Sequence, residues 1–360
     1  MPATSKSQTI QRLLERPGLI DAHTHVGSDA ALFHGGSFPY ALSAEDAVLR
    51  MDLNHVPYAV CFPFVYTAYF RLPDFVRNRF TRSDGDLSRV PYQFENQRLC
   101  REIFEAFPDT ALRLLPFACF DPGREPQAQV AALEELAARY PVFGLKTAAS
   151  YLQSHVTDLL GDGSCLLDFA ARNNLPVTLH TAVMPGDPWA NVFEILKVVE
   201  ARPDVRFALA HSCRFERRAL DRADAAANCF VDFSAFQIHC KLARQDHPAV
   251  AACDDRFKTD YTRHSVAMRA IAEAYPDTVL WGTDTPSHQF ISRFVDEHGK
   301  EHWLHLTCEV SRETDELREL PEGLVDRIGY ANTVQYLFGR DATPGKAEKA
   351  YRRRLVFWHA

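Results

Sequence analysis

Short apolar runs alternate with longer amphipathic stretches along nearly the whole sequence, and this alternation restricts the folds available to the chain. Eight runs have the length and apolar character of strands that are buried on both faces. They cover Leu19–Ala22, Tyr58–Phe62, Leu112–Cys119, Val142–Lys146, Val177–His180, Arg206–Ala210, Cys229–Phe233 and Val279–Trp281. Strands that alternate with helices are typical of a parallel sheet.

The stretches between the strands carry apolar residues at helical spacing. The predicted helices are Ser43–Asn54, Pro126–Tyr140, Leu166–Asn174, Trp189–Ala201, Arg217–Ala226, Ser265–Tyr275 and Leu324–Phe338. In the first of them, Ser43 precedes Asp46 by three residues, as in a capped helix start. The repeated alternation predicts an α/β fold, the (β/α)8 TIM barrel. A doubly wound open sheet is the alternative, but no glycine-rich phosphate loop follows the first strand.

Three segments are too long to be plain connections between a strand and a helix. Pro63–Phe94 follows the second predicted strand, Ser234–His264 the seventh and Ser287–Pro321 the eighth. Because all three follow strands, they lie on the C-terminal face of a barrel, where barrel enzymes build their active sites. No linker divides the sequence, so residues 1–360 are predicted to form one barrel domain with short N-terminal and C-terminal extensions.

Composition and charge narrow the function classes. The formal net charge of -7 argues against a nucleic-acid partner, which would require a basic face. No apolar run is long enough to cross a bilayer, and the N-terminus lacks the apolar core of a signal peptide. The nine cysteines are scattered without a C-x-x-C pair, which indicates free thiols. We therefore expect a cytoplasmic protein without nucleic-acid or membrane partners, and a homodimer as its assembly.

Polar groups stand at the C-terminal ends of five predicted strands. They are His23 and His25 after the first strand, Lys146 at the fourth, His180 at the fifth, His211 at the sixth and Asp284 at the eighth. Side chains two residues apart in a strand point to the same side, so the H-x-H pair forms a clamp. Imidazole and carboxylate groups that converge at a barrel mouth suit Zn²⁺, and also Fe²⁺ or Mn²⁺. A single histidine at a strand end is usually structural, but the joint set predicts a metal site.

These motifs resemble the amidohydrolase superfamily of metal-dependent TIM-barrel hydrolases, and its amidohydrolase 2 branch in particular. The resemblance runs through LIDAHTH, GLK, LPVTLHT, RFALAHS, NCFVDFS, WGTDTP and DRIGYANTVQYLFG, which span nearly the whole chain. It implies that His23, His25, His180 and Asp284 bind a divalent metal. It also implies that Asp284 is the general acid and base, and that His211 polarises a substrate oxygen or binds a second ion.

Lys146 determines whether the resemblance implies one metal ion or two. In two-metal members of the superfamily, a lysine at this strand end is carboxylated and bridges the ions, because an ammonium group has no lone pair to offer. Many members of the amidohydrolase 2 branch carry G-x-K without a bridging role. One ion, above all Zn²⁺, is therefore the expectation, with two ions if Lys146 is carboxylated.

The resemblance implies hydrolysis of a small-molecule amide, lactone or ester that carries a carboxylate or a ring. A metal-dependent non-oxidative decarboxylase of an aromatic or unsaturated acid is the alternative, because the branch contains both reaction types. A barrel that has lost catalysis and only binds a ligand is a third alternative, which the complete ligand set disfavours.

Substrate contacts are less evident in the sequence. The loop after the second strand is rich in aromatic residues and arginines, and it is interpreted either as a lid or as an insertion with its own small core. Arg214, three residues after His211, is expected to form a surface ion pair rather than to face the pocket. The basic segment 346–360 is too short to indicate a nucleic-acid site.

Overall fold

Eight strands form a single sheet in which neighbours are parallel and follow one another in chain order. The computed structural model describes residues 6–15, 17–287, 289–295 and 300–339. The strands are β1 (Ile20–His25), β2 (Tyr58–Phe62), β3 (Leu114–Cys119), β4 (Gly144–Thr147), β5 (Val177–Leu179), β6 (Phe207–Leu209), β7 (Cys229–Asp232) and β8 (Val279–Leu280). Each coincides with a predicted strand, and the predicted (β/α)8 TIM barrel is confirmed.

The barrel closes between β8 and β1. The Ala22 N–H donates to the Trp281 carbonyl oxygen at 3.0 Å, and the His25 N–H donates to the Thr285 carbonyl oxygen at 2.7 Å. The register of β1 against β2 shifts between Asp21 and Thr24, which places a bulge in the H-x-H segment. Bulges beside active sites re-aim side chains, and no feature of the sequence indicates this one.

Alternation along the strands separates the barrel interior from the layer beneath the helices. Interior packing is formed by Tyr58, Val60 and Phe62 of β2 together with Leu115 and Phe117 of β3. The intervening residues Ala59, Cys61 and Leu114 belong to a second hydrophobic cluster, outside the barrel interior. This cluster also contains the apolar faces of the surrounding helices. In β1, Ile20 and Ala22 face the interior, so the bulge allows His23 and His25 to point into the barrel mouth as well.

Helices surround the sheet and confirm most of the predicted segments. The α-helices are Lys6–Glu15, Ala30–His34, Ala44–Leu53, Leu72–Phe75, Gln93–Arg101, Pro126–Arg139, Ala149–Leu152, Ser164–Arg172, Val192–Ala201, Arg217–Ala225, Phe236–Arg244, His264–Ala274, Val310–Arg318, Glu322–Asp326 and Asn332–Phe338. The shorter 3₁₀ and π turns are Asp86–Ser88, Glu102–Ala106, Pro108–Thr110, Val156–Leu160, His211–Phe215 and Arg327–Ala331. Ser43 caps its helix as predicted, since its Oγ accepts the Asp46 N–H at 3.0 Å. The predicted helix Leu324–Phe338 is instead interrupted by the π turn, and Gln93–Arg101 is a helix that the pattern does not predict.

The three long segments carry secondary structure of their own. After β8, strands β9 (Gln289–Val295) and β10 (Glu301–Thr307) form an antiparallel hairpin. Two shorter strands, Gly27–Ser28 and Ala41–Leu42, pair after β1. In the segment after β2, ring centroids of neighbouring aromatic residues lie 5.1 to 5.6 Å apart in a small cluster. Its members are Tyr66, Phe70, Phe75 and Phe80. Phe70 belongs to the hydrophobic cluster of the barrel interior and the other three rings pack against that cluster, so this segment extends the interior core and does not form a separate one.

Further expectations concern the thiols, the membrane and the C-terminal tail. No disulfide links any of the nine cysteines, all of which lie in the described ranges. None of the helices in the described ranges combines the length and the apolar character that a membrane span requires. The basic segment 346–360 lies outside the described residues.

Glu313 makes the stability of the fold depend on pH. Its side chain is fully buried, and this burial raises its pKa from 4.5 to about 8. Its Oε1 accepts the Gln237 N–H at 3.0 Å, whereas Oε2 has no hydrogen-bond partner among the described residues. The folded state keeps a proton that the unfolded chain releases above pH 4.5. The contribution of the Glu313 carboxyl to the free energy of unfolding is therefore greatest below pH 4.5, and it is lost as pH rises towards 8.

We expect Glu313→Gln to remove this pH dependence. The amide oxygen can still accept the Gln237 N–H, and no ionisation remains. The melting temperature of the variant at pH 8 should exceed that of the wild type by about 2 to 6 °C, with little difference near pH 4.5. Calorimetry at both pH values measures this difference. An equal gain at both values would contradict the assignment.

Candidate active site

The H-x-H pair at the end of β1 presents two imidazole lone pairs to the barrel mouth. His23 Nδ1 lies 2.9 Å from Asp232 Oδ2, and His25 Nδ1 lies 2.9 Å from the Pro63 carbonyl oxygen. Burial opposes ionisation of Asp232, but the adjacent His23 and Lys146 charges and its hydrogen bonds lower its pKa to about 2. Since both partners accept, each Nδ1 carries a proton, and each Nε2 can offer its lone pair to a cation that replaces its present contacts with Asp284 and Lys146.

Asp284 completes a cluster of three ligands. It follows β8 in the left-handed conformation, with φ 61°. Its Oδ1 lies 3.5 Å from His23 Nε2 and 3.4 Å from His25 Nε2. Burial raises the pKa of this carboxyl, but its hydrogen bond with His25 and the charges nearby hold the net value below the ordinary 3.8. The three ligand atoms lie within 4.8 Å of one another, and their chemistry fits Zn²⁺, Mn²⁺ or Fe²⁺.

His180 and His211 lie beside this cluster and bond to each other. Arg214 Nη2 donates to His180 Nε2 at 2.9 Å, and His180 Nδ1 lies 3.2 Å from His211 Nε2. Because a guanidinium only donates, His180 must be protonated at Nδ1, which then donates to His211 Nε2. His211 in turn uses Nδ1 towards the Ser234 carbonyl oxygen at 3.1 Å. Both rings face the same cavity as the cluster, and their metal-ligand roles stay predictions.

Lys146 lies at the edge of the three-residue cluster. Its Nζ is 3.4 Å from His23 Nε2 and 4.9 Å above the Phe62 ring centre. Burial lowers the pKa of the ammonium to about 8, because the charged form loses its hydration. The side chain is thus close enough to contact a group bound at the cluster. Its carboxylation stays a prediction.

A left-handed turn after β6 brings Arg214 into the barrel mouth. All five residues of His211–Phe215 have φ between 48° and 62°. Each non-glycine residue in this conformation costs roughly 1 to 2 kcal/mol, so the surrounding packing must hold the turn in place. Arg214 Nε donates to the Thr181 carbonyl oxygen at 2.8 Å, and Nη1 bonds to His239 Nε2. The expectation of a surface ion pair for Arg214 is therefore wrong.

These side chains form the floor of a cavity of about 300 Å³. All three long segments contribute to its apolar wall. The wall includes Phe64 and Val65 after β2, Ile238 and Leu242 after β7, and Phe290, Leu304 and Leu306 after β8. A concave apolar wall above a few polar groups is typical of a site for a small molecule.

The sequence pattern of the amidohydrolase family matches residues 20–337, which include every strand of the barrel. The chain belongs to the amidohydrolase family. Family members are enzymes, and they usually bind a divalent metal. The cluster of His23, His25 and Asp284 could hold such an ion. Curated protein sequences contain no match to the chain.

Solved structures share the amidohydrolase barrel at low sequence identity. An uncharacterized TIM-barrel protein from Bordetella bronchiseptica has a TM-score of 0.54 at 13% identity, over 90% of this chain and 99% of that chain. A 2,6-dihydroxybenzoate decarboxylase from Rhizobium has a TM-score of 0.53 at 13% identity, over 89% and 98%. A zinc-bound amidohydrolase from Burkholderia multivorans has a TM-score of 0.53 at 12% identity, over 88% and 98%. At these identities the likeness is one of fold.

Two further residues support the site of this amidohydrolase: Asp232, which the sequence analysis misses, and His239, a loop histidine for which the sequence leaves a place in the pocket open. Asp232, at the end of β7, accepts the His211 N–H at 3.0 Å in addition to its bond with His23. An acidic residue two positions after the interior Phe230 is the signal that could have revealed it. His239 stacks on His211 with ring centroids 4.8 Å apart. It belongs to helix Phe236–Arg244, which the pattern does not predict.

Proposed function

We propose that the chain is a metal-dependent hydrolase of a small-molecule amide, lactone or ester. The observation that supports it is the convergence of His23, His25 and Asp284 within 4.8 Å at the floor of the cavity. A divalent cation, when bound, supplies Lewis-acid chemistry that makes a water nucleophilic near neutral pH. Asp232 and Pro63 keep the two histidines in the tautomers that such a cation requires.

The proton transfer is assigned to Asp284. Its carboxylate is ionised at neutral pH, so it can accept a proton from the attacking water and return it to the leaving group. His211 is assigned a positioning role, because its Nε2 accepts from His180 and its Nδ1 bonds to Ser234. Within the described site, Lys146 is the cation nearest to the cluster, and it is proposed to stabilise negative charge on the substrate oxygen.

Non-oxidative decarboxylation is the second candidate, and Lys146 favours it. A buried ammonium whose pKa is about 8 is well matched to deliver a proton near neutral pH, as the carbon that loses CO₂ requires. The Rhizobium structure described above is a decarboxylase, so a barrel of this fold supports that reaction in another protein.

Metal content and product analysis test the proposal together. Protein purified without chelator should carry one divalent ion per chain by elemental mass spectrometry. Chelation should abolish turnover of carboxylate-bearing lactones, esters or amides, and the added ion should restore it. In ¹⁸O-labelled water, hydrolysis places one label in the product. Release of CO₂ without label uptake would replace hydrolysis by the second candidate, and turnover that resists chelation would overturn both.

The Lys146→Met variant serves as the control for the number of ions. Methionine fills the apolar space beside Phe62 but offers neither an ammonium nor a carbamate. One ion in both proteins agrees with a single-metal site. Two ions in the wild type that fall to one or none in the variant would establish a carbamate-bridged pair instead.

A further inference from the structure

Arg214 is a half-buried cation that lines the cavity and forms no ion pair with a carboxylate of the described residues. Its guanidinium donates to the Thr181 carbonyl oxygen, His180 Nε2 and His239 Nε2. In the described part of the chain, no carboxylate oxygen lies within 4.0 Å of its nitrogens, although Asp187 and Asp284 act on its charge from further across the cavity. Charges withdrawn from water are generally paired in direct contact, so this guanidinium retains the capacity to bind an anionic group in the cavity.

The protein groups around Arg214 hold its position without neutralising its charge. His239 Nδ1 donates to the Ala235 carbonyl oxygen at 2.8 Å, which leaves Nε2 as the acceptor for Arg214. His180 likewise accepts from Arg214, so both rings are neutral. The positive charge of Arg214 is thus held at one place in the cavity wall. The left-handed turn, the Thr181 carbonyl oxygen and the two imidazole rings fix its position.

The position of the Arg214 guanidinium relative to the cluster of His23, His25 and Asp284 restricts the shape of a ligand that could contact both. The His211 ring centroid lies 5.4 Å from that of His23 and 4.9 Å from that of His180, on which Arg214 is hydrogen-bonded. Among the described residues, the guanidinium bonds to Thr181, His180 and His239 and to none of the three residues of the cluster. Apolar side chains such as Val183 and Ile238 line the same cavity.

We propose that Arg214 binds a substrate carboxylate that is separate from the group that reacts at the metal cluster. This inference rests on the proposed function and specifies its substrate class. The planar fork of a guanidinium matches a carboxylate in two hydrogen bonds. The substrate is then a small acid with an apolar or aromatic body, whose scissile group and anchoring carboxylate lie at opposite ends of that body.

Binding of unreactive acids tests the anchor independently of turnover. Isothermal titration calorimetry would compare benzoate with the two dicarboxylates isophthalate and terephthalate, on protein loaded with its metal. At least one dicarboxylate should bind the wild type about 10-fold or more tightly than benzoate, because the second carboxylate meets Arg214. In Arg214→Met this advantage should fall to within about twofold, while the benzoate affinity is retained.

Two further variants keep the result interpretable. Arg217→Met makes the same change at an exposed position of the next helix and should preserve the full advantage. Arg214→Lys retains the charge without the planar fork and should keep only part of the advantage. No dicarboxylate advantage in the wild type, or an advantage that persists in Arg214→Met, would overturn the proposal. Because the readout is binding, either result is independent of whether the chain hydrolyses or decarboxylates.

Discussion

Asp284→Asn is expected to lower kcat by roughly 10²- to 10⁴-fold, the range typical of losing a general acid–base group. The asparagine keeps an oxygen next to His23 and His25 but cannot take up a proton. Asparagine also tolerates the left-handed conformation found at this position, so the backbone should be preserved. Steady-state kinetics on variant and wild type with equal metal content measure the effect.

Metal analysis of the same variant separates the two roles of Asp284. Largely retained metal with lost turnover agrees with the proton-transfer role. Loss of the ion together with turnover would show that Asp284 is chiefly a ligand. Full activity would refute both roles, and with them the assignment of the cluster as the catalytic centre.

The barrel floor was predictable because its polar residues mark the C-terminal ends of strands, although alternation alone would place Thr24, and not His23 and His25, on the same side as Ala22. His23, His25, Lys146 and Asp284 each stand at or just after the C-terminal end of a strand, and the closed sheet brings those ends together. Asp232 obeys the same rule, since it ends β7 on the same side as the interior Phe230. No conformational knowledge of loops is needed for any of these residues.

Arg214 and His239 are two residues whose place in the site could not be predicted from strand ends. Arg214 reaches the cavity through five consecutive left-handed residues, which no propensity or spacing indicates. His239 depends on a helix in the segment after β7, and the hairpin β9–β10 closes another side of the cavity. The groups proposed to contact the substrate therefore lie outside the barrel strands, in segments whose conformation the sequence pattern does not indicate. The residues of the barrel floor do not determine the reaction, because the cluster of His23, His25 and Asp284 together with Lys146 suits both hydrolysis and decarboxylation.

Asp232→Asn should have a large effect although Asp232 contacts neither metal nor substrate in the proposed site. Its Oδ1 accepts the N–H groups of His211 and Ser234, so the amide oxygen of asparagine must occupy that side. The amide NH₂ then faces His23 Nδ1, which has to become an acceptor. The proton moves to Nε2 and blocks the lone pair that binds the ion. We expect metal affinity to fall by roughly 10- to 100-fold, with a comparable or larger loss of turnover.

Asp21→Asn is the matched control for this prediction. Asp21 is also a buried carboxylate, but it accepts the N–H groups of His23 and Thr283 and bonds to threonine hydroxyls rather than to an imidazole. Hydroxyls can rotate to suit an amide, so the metal affinity should change by less than about threefold, even if stability drops. Chelator competition gives both dissociation constants. If metal affinity falls equally in the two variants, the cause is loosening of β1. If it falls selectively in Asp232→Asn, the cause is the changed His23 tautomer.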